Sequence, residues 1–335
     1  MNPGKISVLM PFKNTAVFLE ECINSVLAQT YGNWELLAVD DHSTDRSKSI
    51  VLDYSTRDQR IKVLSNKNHG IISALKTAYA NASGIYITRM DSDDIMYPSK
   101  LEYLINSLSS AGPGHLAVGQ VKYFSSTGIS DGYARYEKWI NQLIAKGSNY
   151  DEIYKECVVP SPCWMAYKVD LEKSGAFESD RYPEDYDLTF RFYKNQLKCI
   201  PCSQVLHKWR DYPSRTSRTS VHYAQNYFLD IKVHYFLELD HDPSRPLAVW
   251  GAGTKGKTVA RLLQKRDLDF YWLCDNPKKI GKKIYDCELL PYQALESLQA
   301  PQSIVSVANS EAQEAIRSYL ENLGLRQATD YFFFC

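Results

Sequence analysis

Residues 86–98 read YITRMDSDDIMYP, in which a strand-like apolar run ends at three acidic residues, Asp91, Asp93 and Asp94. Carboxylates this close repel one another, and at least one is pushed toward its neutral form unless a cation joins them. An Asp-x-Asp at the exit of a strand suits a hard divalent cation, because such ions prefer carboxylate oxygens as ligands. A solvated acidic turn, or an N-cap for the following helix, is the alternative interpretation.

Strand and helix patterns alternate before this stretch. Strand patterns occupy KISVLMPFKN (5–14), WELLAVDD (34–41) and IKVLSN (61–66), and helical patterns follow them at 18–30, 43–55 and 71–82. The first strand is expected to stop pairing at Pro11, which has no N–H to donate. This order predicts an α/β fold, a mostly parallel sheet flanked by helices, with ligands at the carboxyl ends of its strands. Asp40 and Asp41 end the second strand, and this second acidic strand end favours a binding site over a solvated turn.

Residues 101–240 follow a less regular pattern. YPEDYDLTFRFYKN (182–195) predicts a helix with Glu184 and Asp185 at its positive end, where acidic side chains are favourable even without a catalytic role. HKWRDYPSRTSRTS (207–220) is a basic loop rich in hydroxyl groups. DHDPSRP (240–246) contains two prolines and predicts a linker between a domain at 1–240 and a domain at 246–335.

A second α/β pattern begins after the linker. A strand leads into Gly251-x-Gly253-x-x-Gly256 and a helix, and the next strand, FYWLCD (270–275), ends at Asp275. An acid about 20 residues beyond the glycines is typical of a dinucleotide-binding fingerprint, so we predict a small Rossmann-like domain. The glycines would cradle a pyrophosphate, or would form a tight turn in a domain that serves assembly into an oligomer. In either case Gly253 is expected to lie in a turn that excludes a side chain.

The composition excludes several classes of partner. Basic and acidic residues number 39 each, so the net charge is zero and no nucleic-acid partner is expected. No apolar run approaches the roughly 20 residues that span a bilayer, and the N-terminus lacks the apolar segment of a signal peptide. The eight cysteines are then expected to be reduced thiols. Together these properties predict a cytoplasmic protein without a transmembrane segment, for which peripheral membrane contact stays open.

Four segments in order resemble the family 2 glycosyltransferases, which are inverting enzymes of GT-A fold. They are ISVLMPFKN (6–14), QTYGNWELLAVDDHSTD (29–45), NHGIISALKTAYANASGIYITRMDSDD (68–94) and YPEDYDLTFR (182–191). The resemblance covers roughly residues 5–215, and one departure is His42, where relatives often have glycine or asparagine. It implies metal-dependent transfer of a sugar from a nucleoside-diphosphate sugar, a UDP-sugar by preference. The acceptor would be a hydroxyl of a glycan or lipid-linked molecule in surface-polysaccharide synthesis.

The resemblance also implies a set of donor-binding residues. The nucleotide pocket would be lined by Pro11, Phe12, Asn14, Asp41, Asp91 and Ser92. Asp41 would accept the imide N–H of the base, which is chemically reasonable because an ionised carboxylate only accepts hydrogen bonds. Asp93 would bind Mg²⁺ or Mn²⁺ at the diphosphate, and His207 would complete the metal shell. Such a cation stabilises the departing nucleoside diphosphate, so no general acid is needed.

The acceptor side depends on the later motifs. The resemblance implies that Asp185, with Glu184 beside it, takes the proton of the acceptor hydroxyl, which attacks the anomeric carbon and inverts its configuration. Trp209 and Arg210 would belong to a loop that closes over the diphosphate, with Arg210 paired to phosphate oxygens. Two other functions stay open: an NAD-linked sugar oxidoreductase that uses the second-domain glycines, and a non-catalytic nucleotide-sugar-binding protein. The oxidoreductase alternative leaves the acidic strand ends unexplained.

Overall fold

The computed structural model describes residues 4–219 and 228–335, which form two compact units. The first unit contains residues 4–149 and 158–219, and the second contains residues 150–157 and 228–335. Ser220, the last residue of the predicted basic loop, lies outside the described residues.

The first unit contains ten strands and eight helices within the residues described. The strands are β1 Ile6–Phe12, β2 Trp34–Asp40, β3 Ile61–Ser65, β4 Tyr86–Arg89, β5 Ile95–Met96, β6 His115–Val118, β7 Gln120–Phe124, β8 Trp164–Tyr167, β9 Lys198–Ile200 and β10 Val205–Arg210. The helices are α1 Ala16–Leu27, α2 Ser47–Arg57, α3 Ile71–Ala80, α4 Lys100–Ala111, α5 Asp131–Lys146, α6 Lys168–Lys173, α7 Glu184–Lys194 and α8 Thr216–Thr219.

The main sheet of this unit has the strand order β3-β2-β1-β4-β8-β6-β9. Neighbours among β3, β2, β1 and β4 pair in parallel, whereas β8 runs antiparallel to both β4 and β6. β1 and β2 are buried along their whole length, as expected for central strands covered by helices on both faces. A small sheet of order β5-β10-β7 lies beyond the acidic turn. The predicted mostly parallel α/β fold is confirmed.

The prediction that strand pairing stops at Pro11 is wrong. β1 continues to Phe12, with Pro11 opposite Val39 and Phe12 opposite Asp40 on β2. The amide of Asp41 donates to the carbonyl of Phe12, so residues alternate along β1 and Pro11 turns its nitrogen toward β4. β4 pairs with β1 only as far as Leu9, and therefore the missing N–H of Pro11 breaks no hydrogen bond.

The second unit is an α/β sheet of order β13-β14-β12-β11-β15-β16. Its strands are β11 Leu247–Trp250, β12 Tyr271–Cys274, β13 Lys283–Ile284, β14 Cys287–Pro291, β15 Gln302–Val305 and β16 Tyr331–Phe333, and its helices are α9 Leu229–Leu239, α10 Thr254–Gln264 and α11 Ser310–Asn322. The pairs among β14, β12, β11, β15 and β16 are parallel, and β13 is antiparallel to β14. The strand order reverses at β11, as in doubly wound folds.

The second unit begins earlier in the chain than the predicted linker at 240–246. α9 belongs to it because Phe236 packs against Phe332 and Phe334, with ring centroids 5.1 and 5.9 Å apart. Tyr154, from the separate segment 150–157, stacks on Phe334 at 5.2 Å. The chain therefore contributes two segments from before the linker to this aromatic cluster.

The three glycines of the second unit differ in how much space surrounds them. Gly251 has a φ of 118°, in the region that favours glycine. A Cβ at Gly256 would lie 1.9 Å from the carbonyl oxygen of Gly251, so the helix approaches the strand end too closely for any side chain. The expectation that Gly253 excludes a side chain is wrong, because a Cβ there would meet no atom within 4 Å.

We expect Gly256→Ala to lower the free energy of unfolding by about 1–3 kcal/mol, because overpacking moves the start of α10 away from β11. Gly253→Ala is the matched control, since its backbone φ of −84° suits alanine and its surroundings are open. Urea unfolding of the full chain, followed by tryptophan fluorescence, would measure both. Equal losses in the two variants would contradict the close approach.

Candidate functional site

The carboxyl ends of β1, β2 and β4 bring most of the predicted donor-binding residues together. Pro11 and Phe12 end β1 and are buried, and Asn14 follows them in a left-handed conformation with a φ of 51°. The side-chain oxygen of Asn14 accepts the amide N–H of Thr44 at 2.7 Å, which ties the β1 end to the loop after β2. The hydroxyls of Thr15 and Ser92 lie 3.0 Å apart, which ties the β1 end to the acidic turn.

Asp41 is held rigidly at the end of β2. Its Oδ1 accepts the side-chain amide of Asn66 at 2.7 Å and the backbone N–H of Gly70 at 3.0 Å, and Lys13 lies 3.6 Å from Oδ2. Only 6% of Asp41 is exposed. The residue is therefore an oriented hydrogen-bond acceptor at the edge of the sheet.

Two exposed histidines stand beside Asp41. The rings of His42 and His69 lie 4.1 Å apart, and one ligand atom from each histidine and from Asp41 fall within 4.8 Å of one another. Within residues 4–219 and 228–335 this is the one group of three or more such side chains with ligand atoms this close. It lies at the end of β2, whereas the predicted metal ligand Asp93 lies beyond β4.

The three acidic residues after β4 have different partners. Asp91 accepts Arg89 Nε on one oxygen at 2.9 Å and the hydroxyl of Ser161 on the other at 3.2 Å. Asp94 accepts His207 Nε2 at 3.0 Å and the backbone N–H of Arg210 at 2.7 Å. Asp93 accepts the Tyr212 hydroxyl at 2.8 Å on Oδ2, and no group among the described residues donates to its Oδ1.

The electrostatics raise the pKa values of both Asp93 and Asp94, and burial together with the Asp91 charge raises that of Asp94 to about 8. Burial, followed by the charges of Asp94 and Asp91, raises the pKa of Asp93 to about 7. A divalent cation would offset that repulsion, and the open carboxylate oxygen is the type of ligand that Mg²⁺ and Mn²⁺ take. The donor set at Asp93 therefore fits a metal ion.

His207 occupies a different position from the one predicted. It is fully buried, its Nε2 donates to Asp94, and its Nδ1 lies 3.2 Å from the ammonium of Lys100. Burial lowers the pKa of His207 well below its usual value, so the ring is neutral. In this arrangement both nitrogens already have protein partners, and binding a metal would require one of these contacts to break.

Trp209 and Arg210 also pack into the protein. Trp209 stacks on Tyr123 with ring centroids 5.1 Å apart. The guanidinium of Arg210 lies between the rings of Phe18 and Phe124, 4.7 and 4.4 Å from their centroids, and its Nε donates to the carbonyl of Asp93 at 2.6 Å. The guanidinium of Arg210 is therefore held by protein groups at the edge of the site.

Arg215 is a cation of the site that the sequence patterns did not single out. Its guanidinium carbon lies 5.2 Å from the ring centroid of Trp209, and its charge opposes the rise in the pKa values of Asp93 and Asp94. The available signal was its position in the basic, hydroxyl-rich loop, five residues after Arg210. Only the packing shows that the charge of Arg215 acts on the acidic cluster.

Glu184 and Asp185 begin α7, as predicted for the helix. Arg89 Nη1 donates to Glu184 Oε1 at 2.9 Å, and this bond connects α7 to the acidic turn through Asp91. Burial, followed by the neighbouring Glu184 carboxylate, raises the pKa of Asp185 to about 7. A small cavity is lined by Arg89, Ser161, Trp164, Glu184, Asp185 and Thr189, among others.

The remaining predicted residues lie in the second unit. Gly251, Gly253 and Gly256 connect β11 to α10, and Asp275 is exposed at the end of β12. Lys279 Nζ donates to the carbonyl of Ala252 at 2.9 Å within the glycine turn. Separately, no helix in the described part of the chain is long and apolar enough to cross a membrane.

Comparisons with known proteins identify the family of the chain. The model of the glycosyl transferase family 2 matches residues 7–175. The chain is 31% identical over 241 residues to UDP-Glc:alpha-D-GlcNAc-diphosphoundecaprenol beta-1,3-glucosyltransferase WfgD from Escherichia coli, covering 69% of this chain and 84% of WfgD. The fold and the site define a nucleotide-sugar glycosyltransferase. The chain belongs to glycosyltransferase family 2.

Solved structures support the GT-A fold. The S. aureus TarS 1-349 complex with UDP has a TM-score of 0.53 at 18% identity and covers 78% of this chain and 71% of that one. The mannosyltransferase PcManGT from Pyrobaculum calidifontis, in complex with GDP-Man and Mn²⁺, has a TM-score of 0.51 at 19% identity and covers 77% and 68%. The predicted GT-A glycosyltransferase fold is confirmed.

We expect Asp94→Ala to destabilise the metal-free protein far more than Asp93→Ala. The first substitution leaves the buried N–H groups of His207 and Arg210 without an acceptor, at a cost of about 1–3 kcal/mol for each group. The second removes one bond from Tyr212, while both substitutions relieve repulsion among the acids. Urea unfolding without divalent cations would compare them, and equal destabilisation would argue against the different roles of the two acids.

Proposed function

We propose that the protein transfers a sugar, with inversion, from a UDP-sugar to a hydroxyl group of a glycan or lipid-linked acceptor, with the help of Mn²⁺ or Mg²⁺. The observation that carries this proposal is the double contact of Arg89, which joins the acidic strand end at Asp91 to the acid pair of α7. A donor-binding group and a base are thereby held in one network. Such positioning is a large part of catalysis in group transfer.

The donor is proposed to bind across the carboxyl ends of β1, β2 and β4. Asp41 would accept the imide N–H of uracil, because its carboxylate is already oriented by Asn66 and Gly70. Pro11, Phe12 and Asn14, with Asp91 and Ser92, would line the pocket for the nucleoside. The name of WfgD specifies UDP-Glc, and TarS was solved with UDP, which supports a UDP-sugar as donor.

Asp93 is the residue proposed to hold the divalent cation. When bound, the cation would neutralise charge on the diphosphate and so favour its departure. Asp94, His207 and Arg210 would hold the turn in place around Asp93. Arg215, beside the same acids, would be available to the phosphate oxygens.

Asp185 is proposed to be the base. The acceptor oxygen would lose its proton to the Asp185 carboxylate and form a bond to the anomeric carbon, while the bond from that carbon to the diphosphate breaks on the opposite face. Configuration at the anomeric carbon is thereby inverted. Because Asp185 acts in its ionised form and burial raises its pKa to about 7, transfer should increase with pH through that region.

The setting of the reaction is part of the proposal. WfgD is named for a diphosphoundecaprenol-linked acceptor, which supports a lipid-linked acceptor and hence peripheral contact with a membrane. Surface-polysaccharide synthesis and a cytoplasmic location stay predictions. A ligand at Gly251, Gly253, Gly256 and Asp275, and an oligomer formed through the second unit, stay predictions. Membership of glycosyltransferase family 2 gives no support to the alternative of an NAD-linked sugar oxidoreductase. Measured transfer of a sugar would exclude the alternative of a non-catalytic nucleotide-sugar-binding protein.

We expect Asp93→Asn to weaken Mn²⁺-dependent binding of UDP at least about tenfold, because the amide removes the charge on which the cation depends. Thermal shifts and titration calorimetry with UDP, GDP and dTDP, with and without Mn²⁺, would measure this by linkage. Asp53→Asn is the control, since Asp53 is exposed on α2. Undiminished Mn²⁺-dependent binding in Asp93→Asn would reject the assigned ligand.

We expect Asp185→Asn to lower the transfer rate by about 10²–10⁴ while UDP-sugar affinity stays near that of the unsubstituted protein, because a base acts only on the chemical step. Asp180→Asn is the control, because Asp180 lies in the same loop region and its side chain is 86% exposed. Turnover and donor affinity should be measured on the same preparations. Parallel losses of both would move Asp185 from the base to a binding role.

A further inference from the structure

Arg89 is the last residue of β4, and its side chain reaches one acid two residues further along the chain and one acid 95 residues away. Nε donates to Asp91 Oδ1 and Nη1 donates to Glu184 Oε1, both at 2.9 Å. The side chain is only 7% exposed. Its backbone is held in the main sheet opposite Leu9 of β1. The guanidinium is therefore a buried bridge between the acidic turn and the start of α7.

The acids in the first turn of α7 have unequal partners. Glu184 pairs with Arg89, and Asp187 pairs with Arg191 at 2.8 Å and with Arg181 at 3.7 Å. Within the described residues, Asp185 has no ion-pair partner, and it lines the cavity that Arg89 and Glu184 also line. One acid of the Glu184–Asp185 pair thus has a guanidinium partner, and the other lines the cavity without an ion-pair partner among the described residues.

We propose that Arg89 is a positioning residue that makes Asp185, and not Glu184, the base of the transfer reaction. By holding Glu184 as a paired carboxylate, Arg89 leaves Asp185 as the acid that an acceptor hydroxyl in the cavity can reach. The inference rests on the proposed function for the identity of the reaction. The ion pairs of Arg89 with Asp91 and Glu184, on which the inference is built, are present in the structure whatever the reaction is.

The effect of Arg89 on Asp185 can be measured through the pKa of Asp185, because charged groups of both signs face it. The negative groups are Glu184 on the same helix and Asp91 on the acidic turn, and the positive group is Arg89 on β4. Loss of Arg89 should raise the pKa of Asp185, because a cation that favours its ionised form is removed. Loss of the Glu184 charge should lower the pKa of Asp185, because a repelling carboxylate is removed.

Arginine suits this position better than lysine would. Its planar guanidinium presents N–H groups in two fixed directions, so it can bond Asp91 and Glu184 at the same time. The ammonium of a lysine would retain the charge without that fixed geometry. Arg89→Lys should therefore keep the pKa of Asp185 near its original value and still slow transfer, whereas Arg89→Met should change both.

The decisive experiment is a pH titration of the full chain labelled with [¹³Cγ]aspartate, with the Asp185 carboxyl signal assigned by its loss in Asp185→Asn. We expect Arg89→Met to raise the pKa of Asp185 by about one unit or more and Glu184→Gln to lower it by a similar amount, as for a close charge. Arg57→Met, at an exposed position on α2, should leave it unchanged. Two shifts of opposite sign would support the proposal, and an unmoved signal in folded Arg89→Met or in folded Glu184→Gln would overturn it.

Transfer kinetics would test the functional half of the inference. In Arg89→Met the rise of kcat with pH should move to higher pH and kcat should fall about 10–100-fold. Donor KM should rise as well, because Asp91 of the proposed donor pocket loses its partner. A purely structural role would lower the unfolding midpoint and reduce kcat equally at every pH. If Arg89→Met does not fold, two other variants test the inference: Arg89→Lys should slow transfer without moving the pH at which kcat rises, and Glu184→Gln should move that rise to lower pH. Full activity of Asp185→Asn would reject Asp185 as the base and with it the proposed function. The NMR shifts test only the effect of Arg89 on Asp185, so the two failures can be told apart.

Discussion

Repulsion among the carboxylates of Asp91, Asp93 and Asp94 is the constraint on which the site depends. The protein meets it by giving two of the acids strong partners, Arg89 for Asp91 and His207 for Asp94. Asp93 receives one hydroxyl from Tyr212 on one oxygen, and the pKa values of Asp93 and Asp94 both stay elevated. Among the described residues no group donates to the other oxygen of Asp93, and a divalent cation can use such an open carboxylate oxygen.

This division of partners explains why the irregular middle of the first unit is needed. Ser161, His207, Arg210 and Tyr212 all lie more than 60 residues after the acidic turn, and each donates a hydrogen bond to it. β10 carries two of them and pairs with β5, the short strand directly after the turn. The small sheet is thus the element that brings the later donors to the acids.

Burying a charged side chain costs free energy, and the first unit offsets that cost by joining its buried charged groups through hydrogen bonds. Lys100 is fully buried, donates to the carbonyl of Pro162 and contacts His207, which in turn donates to Asp94. Removing one member of such a chain leaves an uncompensated group, which costs far more than the chain contributes when it is intact. The value of the network therefore lies in geometry, because it allows one orientation of the turn that carries Asp93.

The sequence by itself determined the class of fold, the strand ends that carry acids, the helix that begins at Glu184, and the family. These follow from local patterns: hydrophobic period, clustered charge and the order of short motifs. It did not determine that β1 pairs through Pro11, that α9 joins the second unit, or that Gly256 is the glycine under the tightest contact. Each of those depends on a neighbour that is distant in sequence or set by packing: where β4 stops pairing with β1, which aromatic rings Phe236 contacts, and how closely α10 approaches the end of β11.

The tertiary structure alone decided the partner of each acid. Arg89 and Glu184 are 95 residues apart, and Asp94 and His207 are 113 apart, so no local pattern reports their contact. For the same reason the sequence predicts a metal contact for His207 and a phosphate contact for Arg210, whereas packing turns both side chains toward protein groups. The sequence patterns also do not distinguish Arg215 from the other basic residues of its loop. Composition and spacing predict which side chains carry charge, but only packing decides which charges are neutralised by neighbours and which stay open to a ligand.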